Sequence, residues 1–157
     1  MRLRVIAVGT RMPPWVDAAF ADYNRRLRAP WQVTLIELPP ARRGEGSNAE
    51  MLAKAAEARR ILALLTPRDF VVSLDEHGSE PTTLEMARWL EVRRTAGQDL
   101  AFIIGGPDGF AEQVLARAQW QWSLSRLTLP HGLARVVLIE QLYRAAMVLA
   151  GHPYHRE

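Results

Sequence analysis

The carboxyl terminus carries side chains suited to proton transfer and anion binding. Residues 152–157, with the sequence HPYHRE, supply two imidazoles, a phenol, a guanidinium and a carboxylate. Terminal segments are usually poorly ordered, so a frayed polar tail is the ordinary interpretation. The alternative is that the apolar helix predicted just before Gly151 delivers these groups to one place, where they form part of a site.

A glycine pair follows an apolar run in the middle of the chain. Gly105 and Gly106 come directly after Ile104. Glycines allow a backbone to approach a ligand closely, although a tight strand-to-helix turn alone also uses them. The surrounding residues match neither the phosphate-binding pattern GxxxxGK[ST] nor the dinucleotide pattern GxGxxG. Those two classes of nucleotide-binding protein are therefore disfavoured.

Residues 122–131 alternate apolar and hydroxyl side chains. Leu124, Leu127 and Leu129 are spaced to form an apolar slot whose backbone offers directional hydrogen bonds, as an adenine pocket requires. A buried strand followed by a helix start explains the same segment without a ligand. His131 lies near a helix N-terminus, so it is expected to stay neutral and could serve merely as a capping residue.

Strand-like and helix-like segments alternate along the whole chain. Strands are predicted at residues 2–8, 31–38, 70–74, 100–104 and 120–125, and helices at about 14–27, 48–65, 82–95, 111–118 and 131–150. Ser47 and Glu50 resemble a capping box at the start of the second helix. This alternation predicts a three-layer α/β domain with a parallel sheet, in which ligands bind at the carboxyl ends of the strands. Three of these ends carry distinctive residues: Leu74-Asp75, Gly105-Gly106-Pro107, and the leucine-rich segment, residues 124–130.

The last predicted helix is apolar nearly all round and needs cover on most of its faces. One domain of this size offers limited cover, so a homodimer interface along this helix is predicted. Glu140 and Arg144 are spaced for an i,i+4 ion pair. Arg135 is a candidate contact for a substrate phosphate.

Composition limits the class of protein. The 157 residues predict a single domain over residues 1–157, and the absence of cysteine with only four histidines disfavours a structural metal site. Lys54 is the only lysine, and the net charge is +3. Arginine suits phosphate and base contacts, although a GC-rich genome gives the same bias. Charged residues interrupt the longest apolar stretch, which disfavours a membrane span and predicts a cytoplasmic protein.

Three segments together, residues 103–109, 122–131 and 152–157, resemble the bacterial ribosomal RNA large subunit methyltransferase H family of SPOUT methyltransferases. Three further segments fit as well: residues 7–13, Arg25-Arg26 and residues 142–145. The resemblance covers the whole chain. It implies an α/β fold with a deep C-terminal trefoil knot, an obligate homodimer, and methyl transfer from S-adenosylmethionine to N3 of a pseudouridine in 23S rRNA of the assembled ribosome.

The resemblance also implies two groups of site residues. The cofactor-binding residues would be Leu74, Gly105, Gly106, Leu124, Ser125, Arg126, Leu127, Thr128 and Leu129. At position 126 the backbone, rather than the guanidinium, is expected to matter. The catalytic residues at the target base would be Tyr154, His155 and Arg156. Our hypothesis is that His155 accepts the N3 proton, Arg156 holds a phosphate or base carbonyl, and Tyr154 stacks on the base.

Two other classes of function remain open from the sequence. A non-catalytic RNA- or ribosome-binding protein on the same fold would use the arginines and the tail only for contact, and would not bind S-adenosylmethionine. A small-molecule α/β enzyme that uses a nucleotide is the second alternative. The missing phosphate-loop motifs and the positive net charge weigh against it.

Overall fold

The computed structural model describes the backbone of residues 1–156 and the side chains of residues 1–154. Strands are β1 (Leu3–Val8), β2 (Val33–Leu38), β3 (Asp69–Ser79), β4 (Asp99–Ile104) and β5 (Trp120–Trp122). Helices are α1 (Pro14–Arg26), α2 (Ala49–Ala63), α3 (Thr83–Thr95), α4 (Glu112–Arg117) and α5 (His131–Leu149), followed by a short 3-10 helix (Pro153–Arg156). The predicted order of strands and helices is confirmed.

The sheet is parallel throughout, with the strand order β2-β1-β4-β3-β5. The connections through α1 and α3 move one way across the sheet, and those through α2 and α4 move the other way. Because such crossovers are right-handed, this reversal places the two pairs of helices on opposite faces. Helix α5 packs against α1 and α3, and α2 packs against α4. The predicted three-layer parallel α/β fold is confirmed, whereas the trefoil knot depends on chain threading and stays a prediction.

Each face of the sheet carries its own apolar core, because the central strands are buried on both sides. The larger core, under α1, α3 and α5, includes Val5, Phe20, Met86, Leu90, Phe102, Leu138 and Leu142. The smaller core, under α2 and α4, includes Ile6, Val8, Ile61, Val71, Ile103 and Val114. The apolar runs of β1 and β4 alternate between these cores, which fixes the positions of both strand ends.

The third and fifth strands differ from their predicted lengths. Strand β3 continues past Leu74 to Ser79, with an irregular register against Trp122. Strand β5 ends at Trp122 rather than at residue 125. The Ser123 amide donates to the Ser79 carbonyl at 2.8 Å, so the extended part of β3 closes the ladder where β5 ends. The following residues are thereby free to form a loop at the sheet edge.

The predicted capping box of α2 is wrong. Among the described residues, no side chain caps this helix, and Glu50 instead lies 3.6 Å from the Arg43 guanidinium. The capping box occurs at α3, where the Thr82 hydroxyl accepts from the Glu85 amide and the Glu85 carboxylate accepts from the Thr82 amide. Asn48, and not Ser47, is the N-cap of α2, so Glu50 is the second helical residue instead of the third that a capping box requires.

Arg135 does not face a substrate, contrary to the prediction. The side chain is fully buried beneath α5, where it donates to the Glu37 carboxylate and, at 2.7 Å, to the Gly9 carbonyl. It therefore ties the start of α5 to the carboxyl ends of β1 and β2. The predicted pair of Glu140 with Arg144 is confirmed, with 2.9 Å between Oε1 and Nε.

Helix α5 is covered on only part of its surface. Val136, Val137 and Val148 remain partly exposed in the single chain. This leaves room for the predicted homodimer contact, which stays a prediction. Within the described part of the chain, no helix combines the length and apolar character needed to cross a bilayer.

Candidate active site

A cavity of about 680 Å³ opens where β3 and β4 end and α5 begins. Eight of the nine predicted cofactor residues border it: Leu74, Gly105, Gly106, Leu124, Ser125, Leu127, Thr128 and Leu129. The ninth, Arg126, is exposed and does not line the cavity, so its predicted contribution through the backbone stays a prediction. The strand ends thus bring together three segments that are far apart in sequence.

The glycine turn, residues 105–109, forms one wall of the cavity. Neighbouring residues leave little space for side chains on its first two glycines. A Cβ on Gly105 would lie 3.1 Å from the Phe110 ring, and a Cβ on Gly106 would lie 3.3 Å from the Glu57 carboxylate. The Gly109 amide donates to the Gly106 carbonyl at 3.0 Å and closes the turn. A side chain at either position would therefore require its neighbour to shift by a few tenths of an ångström, and glycine avoids that shift.

The leucine-rich loop, residues 123–130, forms the opposite wall. It has no regular secondary structure and is held by its own hydroxyl groups: Ser123 Oγ donates to the Ser125 carbonyl at 2.8 Å, and Ser125 Oγ accepts from the Leu127 amide at 2.9 Å. Leu127 is 76% exposed, an unusual state for a large apolar side chain beside a cavity. Such a loop offers both apolar contact and backbone hydrogen bonds to a planar ring.

Two acidic residues that are not among the predicted cofactor residues lie at the same edge. Asp75 and Glu76 border the cavity directly after Leu74. The Asp75 carboxylate accepts from the backbone amide of His77 at 2.9 Å, and Glu76 lies 3.5 Å from the Thr128 hydroxyl. Both residues lie within β3 but follow the strand predicted at residues 70–74, and that position was the available signal, because ligands of parallel sheets bind at carboxyl strand ends.

His131 lies at the base of the cavity, on the first turn of α5. Burial lowers the pKa of His131, and the nearby positive charge of Arg135 adds to this effect. The neutral state expected from the sequence agrees with that direction. The ring does not cap the helix, and its buried Nδ1 has no hydrogen-bond partner among the described residues. A polar atom of this kind is available to a ligand in the cavity.

Two carboxylates support the glycine turn from behind. Glu57 on α2 is buried, and desolvation raises its pKa, while a hydrogen bond from the Ala41 backbone acts in the opposite direction. Asp108 pairs with Arg43 at 2.6 Å. The loop that precedes α2 is therefore fastened to the cavity wall by the pair of Arg43 with Asp108.

Tyr154, the predicted catalytic residue whose side chain is described, packs on α5. Its ring centroid is 4.6 Å from that of Tyr143 in an edge-on contact, and the Arg144 guanidinium lies 4.8 Å from the ring. Its hydroxyl donates to the Glu140 carboxylate at 3.2 Å. Burial raises the pKa of Tyr154, as do hydrogen bonds with Tyr23 and Glu140, so the phenol stays protonated at neutral pH.

The tail and the cavity of one chain lie at different places along α5. The cavity touches this helix at His131 and Ala134, whereas Tyr154 contacts Glu140 and residues beyond it. At 1.5 Å per residue, His131 and Glu140 are about 14 Å apart along the helix axis. The structure therefore does not bring Tyr154 to the cavity of its own chain. The side chains of His155 and Arg156 lie outside the described residues.

Comparisons with known proteins agree with the resemblance seen in the sequence. A family model described as a predicted SPOUT methyltransferase matches residues 1–155. Similar curated proteins include those of Thiobacillus denitrificans, 50% identical, Laribacter hongkongensis, 49%, and Methylobacillus flagellatus, 46%, each over 157 residues and the whole of both chains. Each is named ribosomal RNA large subunit methyltransferase H. The predicted enzyme class is confirmed, and the chain belongs to the SPOUT methyltransferases and, within them, to the ribosomal RNA large subunit methyltransferase H family.

Proposed function

We propose that this protein transfers a methyl group from S-adenosylmethionine to N3 of a pseudouridine in 23S rRNA, on the assembled ribosome and in the cytoplasm. The observation that carries the proposal is the single cavity bordered by eight of the nine predicted cofactor residues. The names of the full-length relatives support ribosomal RNA of the large subunit as the substrate.

The cavity suits S-adenosylmethionine by size and by chemistry. A volume of about 680 Å³ is within the range of small-molecule sites. The leucine-rich loop would hold the adenine through apolar contact and backbone hydrogen bonds. The glycine turn would approach the rest of the nucleoside with its backbone. It carries no side chains at Gly105 and Gly106, where they would press on neighbouring residues of the protein. The carboxylates of Asp75 and Glu76 suit ribose hydroxyl groups.

The complete site would need two protomers. Within one chain, about 14 Å of helix separates the cavity end of α5 from the region that holds Tyr154. The partly exposed apolar surface of α5 provides the contact for a homodimer. In that dimer the tail of one protomer would serve the cavity of its partner, which would place Tyr154, His155 and Arg156 beside the cofactor.

The tail residues would prepare the target base for reaction. Bound S-adenosylmethionine supplies an electrophilic methyl group on its sulfonium. N3 of a pseudouridine is a poor nucleophile until its proton leaves, so His155 accepts that proton and Arg156 stabilises the resulting anion through a base carbonyl or phosphate. Tyr154 holds the target nucleobase by stacking. It does not accept a proton, since its phenol stays protonated. Alignment of N3 with the methyl group lowers the barrier further.

The decisive experiment is a methyl-transfer assay on ribosomes from a strain that lacks this protein. Purified protein and S-adenosylmethionine should convert one pseudouridine of 23S rRNA to its N3-methyl form, detected by nucleoside mass spectrometry. Free 23S rRNA should be a much poorer substrate than the assembled ribosome. Absence of a methylated nucleoside, together with no binding of S-adenosylmethionine by calorimetry, would favour the non-catalytic RNA-binding alternative.

A further inference from the structure

Lys54 is the only lysine of the chain, and it lies at the wall of the cavity. It is partly buried on α2, where it borders both this cavity and a second one of about 690 Å³ between α2 and α4. Among the described residues, its ammonium has no ion-pair partner within 4 Å. A partly desolvated cation without a counter-ion favours an anionic ligand.

The nearby carboxylates are engaged elsewhere. Asp108 pairs with Arg43 at 2.6 Å, and Glu50 lies 3.6 Å from the same guanidinium. Desolvation raises the pKa of the buried Glu57 carboxyl, and the Ala41 backbone acts in the opposite direction. None of these three acids forms an ion pair with the lysine, which leaves its positive charge available at the cavity.

The position of Lys54 on its helix directs it to the glycine turn. Glu57 is three residues further along α2, and side chains three apart lie on the same helix face. The Glu57 carboxylate lies 3.3 Å from the position of a Cβ on Gly106, so this face of α2 looks onto the turn. Lys54 lies one helical turn earlier on that face and borders the cavity beside Asp108 and Gly109.

We propose that Lys54 binds the α-carboxylate of the methionine part of S-adenosylmethionine. The proposal rests on the proposed function and adds a binding residue and an orientation to it. The carboxylate is the only anionic group of that molecule, and its ammonium and sulfonium would be repelled by a lysine. The adenine would then lie at the leucine-rich loop, and the amino-acid end would point towards α2 on the opposite wall.

Calorimetry with two nucleosides tests this role directly. S-Adenosylhomocysteine and its decarboxylated analogue, S-adenosyl-3-thiopropylamine, differ only by the carboxylate. The wild-type protein should bind the first about tenfold more tightly, as a charge-assisted hydrogen bond gives. Lys54→Met should reduce this preference to below about threefold and leave binding of the analogue unchanged. Lys54→Arg should keep most of the preference.

Arg59→Met is the matched control, because it removes an exposed positive charge from the same helix outside the cavity. It should keep the full preference for the carboxylate. Equal weakening of both nucleosides by Lys54→Met, or no weakening of either, would overturn the role of Lys54. If the wild-type protein bound neither nucleoside, the proposed function would fail, and this result is distinct from a failure of Lys54 alone.

Discussion

The cavity is assembled from backbone, whereas the described part of the tail is held by side chains. The glycine turn and the leucine-rich loop are fixed by the sheet and by local hydrogen bonds such as that from Ser123 Oγ to the Ser125 carbonyl. Tyr154 rests on Tyr143, Arg144 and Glu140 of one helix. If the proposed roles hold, the comparison indicates that the proposed cofactor site has a rigid frame, while the predicted catalytic residues have only a side-chain attachment.

The first prediction separates the two regions most strongly. His155→Ala combined with Arg156→Ala should lower single-turnover methylation about 100-fold, because both proton transfer and anion stabilisation are lost. Binding of S-adenosylmethionine, measured by calorimetry, should remain unchanged. Methylation at the wild-type rate would remove the tail from the mechanism.

A mixing experiment extends this test to the dimer. The double tail variant and a cavity variant, Gly105→Val, should each be nearly inactive alone. After subunit exchange, their mixture should regain about a quarter of the wild-type rate, as random pairing of two protomers gives. No recovery, with exchange verified by native mass spectrometry, would mean that the tail serves the cavity of its own chain.

The second prediction concerns the backbone frame of the cavity. Gly105→Ala should displace the Phe110 ring, because the added Cβ would lie 3.1 Å from it, and should weaken S-adenosylmethionine binding about tenfold. Gly44→Ala is the control, since a Cβ there meets nothing within 4 Å. Equal affinities of the two variants in calorimetry would show that close packing at the turn is not needed for binding.

The third prediction concerns the attachment of the tail. Tyr154→Phe removes the hydroxyl that donates to Glu140. The free energy of local opening of residues 152–154 should fall by about 1 kcal/mol, which corresponds to about fivefold faster amide exchange there. Hydrogen-exchange mass spectrometry measures this change. Exchange in the leucine-rich loop and affinity for S-adenosylmethionine should not change, and an equal effect in both places would mean that tail and cavity are one unit.

The smallest predicted effect is a pH dependence at the base of the cavity. The pKa of His131 is lowered in the folded protein, so the unfolded chain takes up a proton first as the pH falls below about 6.5. Stability is therefore unaffected by His131 above that pH and decreases below it. Urea unfolding measures the free energy of unfolding at about pH 7.5 and at about pH 5.5. This free energy should decrease less for His131→Gln than for the wild type, and equal decreases would contradict this assignment.

Features that depend on nearby residues were predictable from the sequence. The positions of the strands, the glycine pair and the leucine-rich segment predicted that these segments meet at one edge of the sheet, given the rule for parallel sheets. The choice of the predicted cofactor residues came from the family resemblance, and eight of those nine residues border one cavity. The role of Arg135 was not predictable, because its partners Gly9 and Glu37 are about a hundred residues or more away in sequence. The capping box of α2 failed for a local reason, since the helix has Asn48 and not Ser47 as its N-cap, which puts Glu50 one position too early.

The separation of tail and cavity was also beyond the sequence. The cavity lies at the start of α5, and the tail follows its end. Only the contacts of Tyr154 show on which part of the helix the described tail rests. The sequence also could not predict that Lys54 lacks an ion-pair partner among the described residues. This depends on Arg43, a residue of another segment, which contacts both Asp108 and Glu50.

The bond between Arg135 and the Gly9 carbonyl has a consequence for the timing of folding. It spans 126 positions of the sequence and joins the first strand to the last helix. During synthesis β1 leaves the ribosome well before α5, so the base of the cavity stays open until α5 has emerged. A nascent chain without α5 should therefore be unable to bind S-adenosylmethionine.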